Sequence, residues 1–234
     1  MNLEDTRNSA NHSSMQSINV ENYAVTPTFA GSRACKRLGQ PADRMKSLEK
    51  SLKTLVVSPY VEDKHLLYLD TVDTQCQLLA RALTVMKALR ADYATAPYLD
   101  TFNWAEVFAI LQQLIQTSEI KWKERKFYVV IFRSQIPPTT KYSDLGTLDI
   151  AAHAEATKSG GFLKYWFGTP DHLGQNLATC IWRSKEDARL GGVGPAHREA
   201  AMSARHLYSN WNIERLALVI GEEAKNWEFQ PWSD

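Results

Sequence analysis

Hydrophobic and polar positions along this chain fall into three regimes. Up to about residue 50 they show no period: Ser, Asn, Thr, Lys and Arg dominate, and the stretch reads as a mobile tail. Leu48, Leu52, Leu55, Val56 and Val57 anchor its end to the body. From Asp63 to Tyr93 apolar residues recur at Leu66, Leu69, Val72, Cys76, Leu79, Leu83 and Met86. Steps of three and four predict one long amphipathic helix, closed by Pro97. A second helix follows, with Asn103 as its N-cap, Glu106 three positions on, and a buried stripe through Val107, Phe108, Leu111, Leu114 and Ile115.

From residue 127 the period changes. Phe127–Phe132 is β-branched and aromatic, a buried strand broken by Pro137 and Pro138. Asp144–Lys158 reads as a helix stopped by Ser159-Gly160-Gly161, because glycine adopts the left-handed C-cap cheaply. Phe162–Phe167 and Asn176–Trp182 are strands joined by a polar turn, hence a hairpin. Ser184 caps the next helix, with Asp187 three residues on; Gly191–Gly194 interrupts it, and Pro195 opens a longer helix to about Asn210. Ile213–Ile220 is a strand, and Asn226–Trp232 adds one more.

The order is β-α-β-β-α-β with an extra strand: a ferredoxin-like α+β sheet carrying both helices on one face. The expected layout is a tail over 1–50, a helical extension over 51–125 and the ferredoxin-like domain over 126–234. The free sheet face then needs a cover, either the long Asp63–Tyr93 helix or a second subunit in a homodimer.

Composition narrows the chemistry. The 234 residues are 44% hydrophobic and 23% charged, and 27 basic against 26 acidic residues give a net charge of +1. A balanced charge argues against a dedicated nucleic-acid binder; the basic cluster Arg33, Lys36, Arg37, Arg44 and Lys46 reads as a solvated tail. No apolar run approaches the ~20 residues that span a bilayer. The polar N-terminus carries no secretory signal pattern. Cys35, Cys76 and Cys180 form no disulfide framework or metal spacing. Composition leads to the expectation of a cytoplasmic or nuclear protein with no nucleic-acid or membrane partner.

Candidate chemistry sits in the second half. His197 lies three residues into the helix after Gly194-Pro195, where an imidazole serves as general base or as a hydrogen-bonding cap. Asp149 and His153 share a helix face at i and i+4, the spacing at which a carboxylate orients an imidazole, or at which both are simply solvated. Trp166, Trp182 and Tyr165 suit the walls of a flat-ligand pocket or the core; alternation sends Tyr165 and Trp166 to opposite faces. Arg183 grips a ligand carboxylate or pairs with Glu186, Asp187 or Glu199. Asn176 binds substrate or begins its strand, Asp171 and His172 serve their turn, and Cys180 reads as an inert buried thiol. Gly191–Gly194 lacks the lysine of a phosphate loop.

The segment Gly161–Tyr165, the strand-to-helix run Asn176–Ala188 and His197 are similar to the dimeric α+β barrel, or antibiotic-biosynthesis-monooxygenase-like, superfamily over residues 126–232. The longer pattern KYWFGTPD, NLATCIWRS and GPAHREAA resembles a fungal protein family of unassigned activity, from Tyr68 to the C-terminus. The superfamily resemblance implies a pocket between sheet and helices, dimerisation through the open sheet face, and either cofactor-free oxygenation or cyclisation and isomerisation of a hydrophobic, aromatic or polycyclic small molecule, as in secondary metabolism. It also includes haem-binding members, in which His197 would ligate iron, and members without activity, for which a ligand carrier or interaction module is the reading. FYVVIFRS offers Arg133 and Ser134 where haem-degrading members carry Asn. Fold alone does not choose among these reactions.

Overall fold

A computed structural model describes residues 52–233. The basic cluster from Arg33 to Lys46, Cys35 and Leu48 lie outside the described residues.

The sheet has five strands in the order β4-β5-β3-β6-β7, every neighbouring pair antiparallel. They are β3 (Arg125–Gln135), β4 (Phe162–Phe167), β5 (Gln175–Trp182), β6 (Asn210–Ile220) and β7 (Trp227–Pro231). β3 to β6 have the ferredoxin-like order, and β7 extends the sheet beside β6. One helix, α4 (Tyr142–Ser159), connects β3 to β4. The β5–β6 crossover is split into α5 (Lys185–Gly191) and α6 (Pro195–Leu207). Ser184 caps α5, its Oγ accepting the Asp187 amide at 3.1 Å, and Pro195 sits in the first turn of α6, as the sequence predicts.

Alternation along β3 buries both sheet faces. Phe127, Val129 and Ile131 join a large core with α1 (Thr74–Ala82) and α3 (Trp104–Ser118). Tyr128 faces the other way, into a smaller cluster with Ala156, Phe162 and Trp182. The segment before β3 is therefore a layer of the molecule that covers the sheet face opposite α4. A two-stranded ribbon, β1 (Thr54–Leu55) with β2 (Leu67–Tyr68), and the four-residue α2 (Tyr98–Thr101) complete it.

This layer departs from expectation in two ways. No continuous helix runs from Asp63 to Tyr93; α1 has nine residues, flanked by three-residue 3-10 turns at Asp63–His65, Leu69–Thr71 and Leu83–Val85. The turns explain the misleading period, because a 3-10 turn returns every third side chain to one face. Asp73 then sets the true start of α1, accepting the Cys76 amide at 3.1 Å. Asn103 holds the N-cap position of α3, but its side chain makes no cap. Its Oδ1 accepts the Lys87 amide at 2.8 Å and its Nδ2 donates to Glu106 at 2.7 Å, tying the helix to the preceding loop.

Among the described residues no helix is long and apolar enough to cross a membrane.

Candidate functional site

A cavity of about 370 Å³ lies between the sheet, α4 and α6. Small side chains make the space: Ala152 on α4, Ala178 on β5, and Ala200, Ala201 and Ala204 on α6 all line it. The larger walls are apolar or aromatic, chiefly Phe132, Leu148, Tyr208 and Trp211. Size and lining suit a small, largely apolar ligand.

The groups capable of proton chemistry that reach this cavity include Asp149, Tyr165 and His197. The Tyr165 hydroxyl donates to Asp149 Oδ1 at 2.5 Å, and Tyr60, from the segment before β2, donates to Oδ2. Burial lifts the Asp149 carboxyl above its usual range; the two hydroxyls and the His197 and His65 rings pull it back without cancelling the rise. Burial, with Asp149 beside them, pushes both tyrosines upward, so they remain donors.

His197 is oriented from α4. Its Nδ1 lies 3.1 Å from Glu155 Oε1, and Glu155 Oε2 accepts the Ala196 amide at 2.8 Å. One carboxylate thus caps the start of α6 and fixes the imidazole. An ionised carboxylate only accepts, so Nδ1 carries the hydrogen, and in the neutral ring Nε2 is the nitrogen with the lone pair. Burial alone would raise Glu155, but the Ala196 amide and His197 outweigh it and hold the group low. The glycine break makes this contact possible: a Cβ on Gly194 would lie 2.0 Å from the Glu155 carboxylate.

Of the other residues singled out in the sequence, His153, Trp166, Trp182, Arg183 and Asn176 do not line the cavity. Asp149 and His153 share a face of α4, but they are not partners: the His153 Nδ1 faces the His65 Nδ1 at 2.8 Å, behind the cavity wall. The rings are 4% and 0% exposed, and both Nε2 atoms lack a partner. Burial, with the His65 and His197 rings nearby, pushes His153 down to about 3, so it stays neutral and holds structure. Trp166 points to the opposite sheet face, edge-on to Tyr93 and Phe102. Trp182 packs against Phe162 at 4.6 Å and beneath Gly191, where a Cβ would meet its ring at 2.3 Å. Arg183 makes a two-point ion pair with Asp187 at 2.5 and 2.8 Å. Asn176 accepts the Leu177 amide with its own side chain at 2.9 Å. Cys180 lines the cavity, takes a hydrogen bond from Trp182 Nε1 at 3.0 Å, and is pushed up to about 12 by burial.

Tyr60 and His65 could not be identified from sequence alone. They lie 89 and 88 positions from their partners, and neither carries a local motif. The alanine positions on α6 were visible, though nothing in a sequence distinguishes small side chains that frame a void from those that permit close packing.

Among solved structures, the chain is similar to SnoaB, a cofactor-independent oxygenase from Streptomyces nogalater, at 12% identity and a TM-score of 0.31, over 38% of this chain and 90% of that one. It is also similar to a dimeric ferredoxin-like protein from Thermobifida fusca at 14% identity and a TM-score of 0.34, over 42% and 95%. Likenesses of this size concern the fold of that stretch alone. The UPF0643 protein PB2B2.08 of Schizosaccharomyces pombe is 38% identical over 202 residues, spanning 82% of this chain and 92% of the relative. Residues 56–231, which take in both the N-terminal layer and the sheet, match the PB2B2.08-like family, and the chain belongs to it.

Proposed function

We propose that this protein is an enzyme that binds a flat, largely apolar molecule between the sheet and α6 and exchanges a proton with it, His197 acting as general base. The observation that carries this reading is the Glu155–His197 contact at 3.1 Å on the wall of an apolar cavity. Glu155 holds the tautomer that leaves Nε2 basic, and Asp149 supplies negative charge nearby as the imidazolium forms. Loss of a proton from an activated C–H or O–H leaves a delocalised anion in the ligand. Reprotonation elsewhere isomerises it, internal addition cyclises it, and reaction with dioxygen oxygenates it; the cavity is compatible with each.

Haem fits this lining poorly. No Arg or Lys is among the described lining residues to receive propionates, and Asp149 places a carboxyl in the wall. No step is assigned to it.

The test is native mass spectrometry of the full chain offered bicyclic and tricyclic phenols and ketones in deuterated buffer. The protein is expected to retain a ligand and accelerate its deuterium exchange. His197→Ala should keep the ligand and lose the acceleration by about 10²-fold or more. Ala200→Phe, which fills the cavity, should lose both. Equal retention by the filled variant would overturn the site, and exchange unchanged in His197→Ala would leave a carrier in place of an enzyme.

A further inference from the structure

We propose that Tyr60 is a positioning residue of this site: the layer before the ferredoxin-like fold reaches across α4 and holds Asp149 opposite His197, so the site is complete only with that segment docked. The inference rests on the functional reading above and names a residue outside the half of the chain that forms the pocket.

Three contacts bring the segment to this place. The Val57 carbonyl accepts the Tyr165 amide at 2.9 Å, adding the segment to the free edge of β4 beside the cavity residue. Three positions on, the Tyr60 hydroxyl donates to Asp149 Oδ2. His65 then meets His153 one turn along α4 from Asp149. The Tyr60 ring is wedged against His65, His153 and Phe167, with centroids 4.9, 5.0 and 6.1 Å away. Ser58 accepts the Tyr60 amide at 3.2 Å. Position, ring packing and hydroxyl direction of Tyr60 are all determined.

The consequence follows from hydrogen-bond arithmetic. Tyr165 occupies one oxygen of Asp149 and Tyr60 the other, so the carboxyl is fixed in rotation by donors from two separate parts of the chain. A donor to a carboxylate favours the charged form against the cost of burial. The charged and titratable groups facing Asp149 are Tyr60 and His65 from the segment, Tyr165 and Cys180 from the sheet, and His197 and Tyr208 from α6 and the residue after it. Tyr60 is the donor that can be removed without altering the cavity wall, since it does not line the cavity.

The experiment follows the Asp149 carboxyl by carbon-13 NMR in the full chain labelled at aspartate Cγ, with Asp149→Asn assigning the resonance. Tyr60→Phe keeps the ring. The titration midpoint of Asp149 should rise by about one to two pH units in this variant. Incorporation of 3-fluorotyrosine at position 60, a stronger donor of nearly the same size, should lower it. The same samples are titrated with 2-naphthol, a neutral hydroxylated aromatic probe. The pH profile of its binding should move with the Asp149 midpoint in Tyr60→Phe, a change that simple loosening of the fold would not produce. An Asp149 midpoint unmoved by both changes at Tyr60 overturns the assignment. Absence of 2-naphthol binding by the wild type, with the midpoint still moving, would count against the pocket reading and leave the Tyr60 assignment standing.

Discussion

His65 and His153 show what a single buried contact costs. With one Nδ1 donating to the other, one ring is left with an unpartnered Nε2–H and the other with an unpartnered lone pair. The pair is tolerable only while both rings are neutral. Burial holds both below the ordinary histidine value, with Lys64 also acting on His65. In the unfolded chain they titrate near the normal pKa of about 6.5, so the unfolded state binds protons first as pH falls. The sign is therefore definite. The His153 contribution to stability is complete above about pH 6.5 and is lost as pH falls towards about 3, at up to about 1.4 kcal/mol per pH unit, and His65 acts in the same direction. Asp149, lifted by burial, works in the opposite direction at lower pH, so the difference between variants is the cleaner measure. Urea midpoints at pH 7.5 and 5.0 should fall more steeply in wild type than in His153→Phe. Parallel slopes would refute the account. His65 entered no sequence-based expectation, and His153 entered as a partner of Asp149, because helical spacing identifies neighbours on one helix and is blind to a ring arriving from 88 positions away.

Between β5 and α5 the secondary structure is held by a compact polar junction. Ser184 Oγ accepts the Asp187 amide and donates to the Asp187 carboxylate at 2.6 Å, while Arg183 grips the same carboxylate from the strand end. Gly161 packs on this junction with φ of 72°, and a Cβ there would lie 2.5 Å from the Asp187 Cγ. The sequence marks the cap and the glycine stop but leaves the Arg183 partner open, since Glu186, Asp187 and Glu199 all carry the right charge. The fold chose Asp187 because the first turn of α5 directs that carboxylate back towards the strand. Ser184→Ala should cost about 1 kcal/mol in chemical denaturation, with the fold retained. A loss below a few tenths of a kcal/mol would show that Arg183 alone secures the start of α5.

At the scale of the molecule, the sheet leaves no apolar face free among the described residues. Residues of β3, β4, β5 and β6 that point away from α4 are covered by α1, α3 and their connecting turns, and Val129, Leu163, Leu177 and Leu218 are all at 0% exposure. A second copy docking on that face would have to displace this layer and expose its core. Sedimentation equilibrium should therefore report the mass of one chain at micromolar concentration. A mass twice that would overturn the expectation of a single chain. The same layer brings Tyr60 to Asp149, so covering the sheet and completing the site come from one segment.

The sequence by itself determined the strand and helix order from residue 125 onward, the hairpin, the cap at Ser184 and the split at Gly191–Gly194, and it offered His197 as a candidate. Period, capping residues and glycine positions are local, and local chemistry writes them directly. Only the tertiary structure decided that Glu155 orients His197, that Tyr60 and Tyr165 share Asp149, that Trp166 and Trp182 belong to packing, and that the Asp63–Tyr93 stripe folds as short turns around a nine-residue helix. Those outcomes depend on which distant surfaces meet. A three-residue apolar period satisfies a helix and a chain of 3-10 turns equally well until a sheet face arrives to be covered.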